Sequence, residues 1–294
     1  MGIPAYYPYR SFKARDTYLS FCDQRAGQWP VVSESRMVST SYGRTFVRVS
    51  GPDGGQPLVL LPGMASTSVF WAPNIEAWSV RYRTYALDTI GEVGRSVCTK
   101  RMAGATDFVC WLDELFTRLD LGDKINILGM SQGGWLAAQY ALRFPGRLRK
   151  LVLLAPAATV LPIRLEFYFR GALVLTGSRR FTRAAVYWLL EDLARKDASR
   201  VEASVDRALL TSRCMRPRRR IALTVLKDGE IASLRTPTLF LVGEHEKIYS
   251  AAKALSRLSR VAPQIRTEIV PDAGHDLTLA QPETVNRKVL EFLC

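Results

Sequence analysis

Histidine is almost absent from this 294-residue chain, with two in all. The five cysteines (Cys22, Cys98, Cys110, Cys214, Cys294) are scattered, odd in number and never spaced as C-x-x-C. That usage argues against both a zinc site and a disulfide framework, and it fits a reducing compartment. No uncharged apolar run approaches the roughly 20 residues that cross a bilayer, so no transmembrane segment is expected. The first thirty residues are rich in Tyr, Arg and Pro and have no continuous apolar core, so they do not read as a signal peptide. A cytoplasmic location is the expectation. Acids are also in short supply: 27 Asp and Glu face 41 Lys and Arg, a formal net charge of +14. Such a balance attracts anionic ligands, membrane surfaces or nucleic acid. No compact nucleic-acid motif accompanies it, and a basic surface without a nucleic-acid partner is expected.

What is present is the composition of a globular protein. Hydrophobic residues make up 48% and charged residues 23%, enough to bury a sizeable core. Residues 36–50 read as a hairpin turning at Tyr42-Gly43, and Leu58–Leu61 as a fully apolar strand ending at Pro62-Gly63. Further strands are expected at Tyr82–Asp88, Ile125–Gly129, Leu151–Ala155, Thr238–Val242 and Ile265–Val270. Helical patterns fall between them, at about 70–80, 105–119, 133–144, 250–260 and 281–293. Apolar strands alternating with helices imply an α/β fold with right-handed crossovers and a mostly parallel sheet covered on both faces. Ligands of such sheets gather beyond the carboxyl ends of the strands.

One stretch breaks the alternation. About eighty residues separate Ala155 from Thr238 without a convincing strand, while 163–175, 181–195 and 198–213 look helical. That is too long for a loop, and an inserted helical subdomain is expected. It holds the densest basic run, Arg216-Pro-Arg-Arg-Arg220, read as a solvated turn.

The most informative segment is Ile125-Asn-Ile-Leu-Gly-Met-Ser-Gln-Gly-Gly-Trp135. An apolar strand runs into G-x-S-x-G (Gly129 to Gly133), and a helical pattern begins at once. In this context Ser131 reads as a nucleophile on a strained strand-to-helix turn. Flanking glycines remove side chains that would collide with it, and the following helix N-terminus favours developing negative charge.

A serine needs a base, and imidazole is the usual one near neutral pH. His275, in Val270-Pro-Asp-Ala-Gly-His275-Asp, sits in a glycine-bearing loop after the last strand, from which it can reach Ser131. The other histidine, His245, lies in Gly243-Glu-His-Glu246, the loop that must also supply the carboxylate that orients the base. Glu244 and Glu246 are both candidates, and spacing does not separate them. Two backbone donors are needed for an oxyanion. Gln132, after the nucleophile, should give one; the Pro62-Gly63-Met64 turn should give the other, with Met64 first and Ala65 in reserve.

These segments together resemble the α/β-hydrolase fold family over roughly residues 36–293. The order Ser131, acid, His275 is the family's order. Leu61-Pro-Gly-Met64 is similar to its His-Gly-x oxyanion segment, with Pro62 replacing the usual His. Leu87-Asp88-Thr-Ile-Gly91-Glu-Val-Gly94-Arg-Ser96 resembles its structural D-x-x-G-x-G-x-S loop. Leu241-Val-Gly-Glu-His-Glu246 resembles its G-x-x-D acid loop and favours Glu246 over Glu244. The resemblance divides the chain into an extension (1–35), a core (36–157 and 235–294) and a cap or lid (158–234). A serine at the elbow excludes the relatives with an aspartate nucleophile there. A carboxylesterase acting on small-molecule esters is the reading that remains foremost. C–C bond hydrolases, perhydrolases and acyltransferases use the same triad, and a non-catalytic binding or signalling protein on this fold is the alternative from another class. No metal or organic cofactor is implied. Phe167, Phe169, Trp188 and Leu189 suggest an apolar pocket beneath the cap or packing within it. The extension is open to three roles: packing on the cap, a homo-oligomer contact, or a flexible arm.

Overall fold

The computed structural model describes residues 7–27, 29–216 and 221–294. Nine strands form a single sheet among the described residues, in the order β1-β2-β4-β3-β6-β7-β8-β9, with β5 paired to β2. The strands are β1 (Ser33–Thr40), β2 (Gly43–Ser50), β3 (Gln56–Leu61), β4 (Tyr82–Leu87) and β5 (Val97–Cys98), followed by β6 (Ile125–Met130), β7 (Leu148–Leu154), β8 (Thr238–Gly243) and β9 (Arg266–Val270). β1 and β2 form the expected antiparallel hairpin, and β2 runs antiparallel to β4. From β4 to β9 every neighbouring pair is parallel.

Alternation along the strands explains the layering. Val59 and Leu61 of β3 enter one apolar cluster with Ile127, Leu151, Leu153, Phe240 and Val242. Leu58 and Leu60 enter the other with Leu128, Met130, Val152, Leu154 and Leu241. Neighbouring side chains point to opposite faces, so only a strand apolar throughout satisfies helices on both sides. The first cluster is closed by α3 (Ala105–Arg118), α4 (Gln132–Arg143) and α10 (Ala251–Val261). The second is closed by α2 (Ala72–Ser79), α11 (Leu277–Ala280) and α12 (Pro282–Leu293). The outer strands are more polar: β1 is partly or fully exposed along its length, and β9 exposes Arg266 and Ile269.

Five helices lie between β7 and β8: α5 (Leu165–Val174), α6 (Arg179–Leu189), α7 (Glu191–Lys196), α8 (Ala198–Cys214) and α9 (Asp228–Ala232). Most of the basic run 216–220 lies outside the described residues. The N-terminal segment carries a helix, α1 (Phe12–Ala26), which packs on α8. Of its three open roles, the structure shows packing on the inserted helices. The backbone of 8–10 also pairs with 214–216, through Arg10 N–H to Cys214 O (2.8 Å) and Arg216 N–H to Pro8 O (2.9 Å). The Tyr9 hydroxyl donates to Gly94 O (3.0 Å) and accepts from Gly94 N–H (2.8 Å), tying the extension to the loop after β4. The sheet begins at Ser33, three residues before the boundary expected from sequence, because residues 33–35 extend the ladder against Arg48–Ser50.

Candidate active site

β6 ends at Met130 and α4 begins at Gln132, so the chain turns within Ser131. Ser131 has φ 53° and ψ −116°, a conformation that costs a non-glycine residue about 1–3 kcal/mol. The surroundings hold it there. Its N–H donates to Leu154 O on β7, and its carbonyl accepts from Trp135 and Ala157 N–H, all at 3.0 Å. The two motif glycines are required by contact. A Cβ on Gly129 would lie 2.2 Å from Gly133 O, and one on Gly133 would lie 2.1 Å from Leu61 O.

His275 follows β9 in a short loop and is buried, 7% exposed. Its Nε2 lies 3.0 Å from Ser131 Oγ, and its Nδ1 lies 3.0 and 3.1 Å from the two Glu246 oxygens. Nδ1–H donating to the carboxylate leaves Nε2 free to accept the serine proton, the arrangement of a nucleophile, base and orienting acid. Glu246 Oε1 also accepts from Ile248 N–H (2.9 Å), which fixes the carboxylate. Glu244 is exposed and meets Asp272 N–H at 3.4 Å, away from His275. Gly243 lets the acid and base loops meet: a Cβ there would fall 2.3 Å from both Ala273 O and Gly274 O.

The turn after β3 packs beside the serine. A Cβ on Gly63 would sit 3.5 Å from Ser131 Cβ, so the Pro62–Ala65 segment passes directly against it. Ser66 N–H closes the turn on Gly63 O (3.2 Å), and Ala65 adopts a φ of 54°. Asp88 anchors the next step, accepting Ser68 N–H (2.7 Å) and Arg95 N–H (2.8 Å). Burial pushes its carboxyl above the usual range, against those hydrogen bonds. The Asp88–Ser96 loop thus braces the segment that begins at Ser68.

Three further side chains hold the inserted helices to these loops. Arg207 on α8 donates to Ala65 O at 2.8 Å. Asp276, beside His275 and buried, accepts Leu193 N–H on α7 (2.8 Å) and Gly274 N–H (3.0 Å). Desolvation raises its pKa, and Asp192 nearby adds to the rise while the two N–H bonds oppose it. His245 faces Asp192 on α7, with Nδ1 2.9 Å from Oδ1, and takes no part in the Ser131 contact. None of these links has a sequence signature, since each joins residues at least 53 positions apart except Asp276–Gly274. Tyr249 was also invisible: fully buried, its hydroxyl is pushed well above the usual range by desolvation and then by Glu246.

One expectation needs correction. Phe167, Trp188 and Leu189 are half-buried and pack against the core, but Phe169 is 66% exposed. It lies on the opposite side of α5 from Phe167 and forms neither pocket nor packing core.

Residues 56–281 match the family model of the α/β hydrolase fold. The chain belongs to that family. Among its α/β-hydrolase relatives, carboxylesterase YbfK of Bacillus subtilis is 36% identical over 279 residues, covering 92% of each chain. The crystal structure of that carboxylesterase superposes with a TM-score of 0.86, covering 96% of this chain and 99% of the other. Naproxen esterase of Bacillus subtilis gives the same TM-score at 30% identity, with both chains fully covered. A meta-cleavage product hydrolase aligns at 22% identity with a TM-score of 0.72, a likeness of fold.

Proposed function

We propose that this α/β hydrolase is a serine esterase that cleaves small-molecule carboxylic esters through an acyl-enzyme. Ser131 is the nucleophile, His275 the general base and Glu246 the acid that orients it. The observation that carries this reading is the 3.0 Å approach of His275 Nε2 to Ser131 Oγ, backed on Nδ1 by Glu246. The nature of the relatives, a carboxylesterase and a naproxen esterase, supports the ester as substrate.

The chemistry follows from these positions. His275 takes the serine proton as Oγ attacks the ester carbonyl, forming a tetrahedral adduct whose oxyanion accepts from the amides of Met64 and Gln132. The α4 N-terminus adds its partial positive charge there. The imidazolium, balanced by Glu246, then protonates the leaving alcohol. Water enters, gives its proton to the same nitrogen, and releases the acid. No step calls for a metal or an organic cofactor. The inserted helices, 158–234, act as a cap over this chemistry, with Phe167, Trp188 and Leu189 bringing apolar surface to it. The cytoplasm suits the scattered cysteines.

The test is hydrolysis of short and long p-nitrophenyl esters by the wild type and Ser131→Ala. Turnover that disappears in the variant, with its fold intact by circular dichroism, upholds the esterase. Equal turnover by both proteins overturns it.

A further inference from the structure

α5 is an apolar helix with no buried residue. Its sequence, Leu-Glu-Phe-Tyr-Phe-Arg-Gly-Ala-Leu-Val, offers only Phe167 to the packed interior as a half-buried aromatic. The other side is in water. Leu165 is 84% exposed, Phe169 66% and Tyr168 54%; Leu175, just past the helix, is 65% and Phe181, opening α6, 41%. Positions 165, 168 and 169 share one stripe of the helix, at i, i+3 and i+4. Leaving apolar surface in water forgoes about 25 cal/mol per Å², and a contiguous patch of this kind marks a surface that meets a partner.

The charges around the patch indicate which partner. Residues 164–183 contain five arginines (Arg164, Arg170, Arg179, Arg180, Arg183) and one acid, Glu166. Glu166 pairs with Arg170, while Arg179 and Arg183 reach Glu202 and Asp206 on α8. Arg180 forms no ion pair among the described residues, and Arg164 only approaches Lys247 O at 3.5 Å. The apolar stripe is therefore edged by uncompensated positive charge on a chain of net charge +14.

We propose that the α5–α6 hairpin docks the protein on an anionic lipid membrane. Leu165, Phe169 and Leu175 enter the boundary between headgroups and acyl chains, and the arginines meet lipid phosphates. This association is with the surface, since no described helix is long and apolar enough to cross a membrane. A second copy of the chain fits less well: a two-fold contact would bring this arginine edge against itself. The inference goes beyond the esterase reading and does not depend on it.

The test is co-sedimentation of the full chain with extruded vesicles of phosphatidylcholine alone or with about one-third phosphatidylglycerol, at low and high salt. The wild type is expected to partition into the anionic vesicles at least about tenfold more strongly than into the neutral ones, and salt should weaken it. Leu165→Asp with Leu175→Asp, and separately Arg164→Glu with Arg180→Glu, should each cut that binding about tenfold. Both double variants should keep the wild-type melting temperature and p-nitrophenyl ester turnover. The charge-matched control, Arg118→Glu with Arg287→Glu, should bind as the wild type does. Equal loss in the control would reduce the effect to bulk charge and overturn the proposal. So would wild-type failure to bind anionic vesicles, or binding unchanged in both hairpin variants. A solution dimer that the Leu165→Asp, Leu175→Asp variant dissolves would give the face to a second copy and overturn it as well.

Discussion

In the proposed triad Glu246 does not touch the reacting atoms, and its carboxylate, 3.0 Å from His275 Nδ1, is the group that would set which ring nitrogen carries the proton. Glu246→Gln keeps the shape and removes the charge that stabilises the imidazolium. It should lower kcat by about 10³–10⁴ at neutral pH with little change in KM, read from steady-state ester hydrolysis. Glu244→Gln should stay within about twofold of the wild type, because Glu244 is exposed and bonds to the Asp272 amide. The contrast between two glutamates two positions apart tests the acid assignment. The sequence singled out Ser131 and the remote His275, which the structure places 3.0 Å apart, because glycine-flanked turns and a scarcity of histidine left few alternatives. It could not separate Glu244 from Glu246 by residue pattern alone. Both stand in a loop, where no period relates position to direction, and the resemblance of Gly243–Glu246 to the acid loop was needed.

Between elements, the active loops are braced from the inserted helices. Arg207 on α8 holds Ala65 O, one residue beyond the proposed oxyanion donor Met64. Arg207→Met should reduce kcat about tenfold while KM changes less, a loss of about 1.4 kcal/mol in transition-state stabilisation. Asp276 joins α7 to the loop of His275, and burial raises its pKa in the fold. A carboxyl raised in the folded state is a liability above its folded pKa, where it must be charged, and ceases to be one as it is protonated. The wild type should therefore gain stability relative to Asp276→Asn as pH falls from neutral toward the ordinary carboxylate range near 4. Urea midpoints at pH 7.5 and 5 check this; a difference independent of pH would contradict it. The central strands were legible because burial on both faces demands unbroken apolar runs. α1 was not: its sequence, Phe-Lys-Ala-Arg-Asp-Thr-Tyr-Leu-Ser-Phe-Cys-Asp-Gln-Arg-Ala, has no broad apolar face, and its partner is α8. β5 has two residues, too few for any pattern.

For the molecule as a whole, the charge of +14 and the exposed hairpin set behaviour that no triad geometry dictates. Net charge of that size keeps copies apart at low salt and draws the protein to polyanions. Chromatographic retention on a cation exchanger should accordingly fall steeply with ionic strength. The +14 was legible from composition; two arginines without an ion pair among the described residues, beside an unburied apolar stripe, were not, because a helix such as α5 reads from sequence as pocket lining or packing core. Phe169 is the residue where that reading fails. The fold positions everything else: β3, β6, β8 and β9 are neighbours or near neighbours in one sheet, and the loops beyond their carboxyl ends bring Gly63, Ser131, Glu246 and His275 together.

Mass spectrometry of the protein after reaction with a fluorophosphonate reads that convergence at the serine itself. One adduct per chain is expected, mapped to Ser131, with esterase activity falling in proportion to labelling and no adduct in Ser131→Ala. An adduct on another residue, or activity that survives full labelling of Ser131, would contradict it.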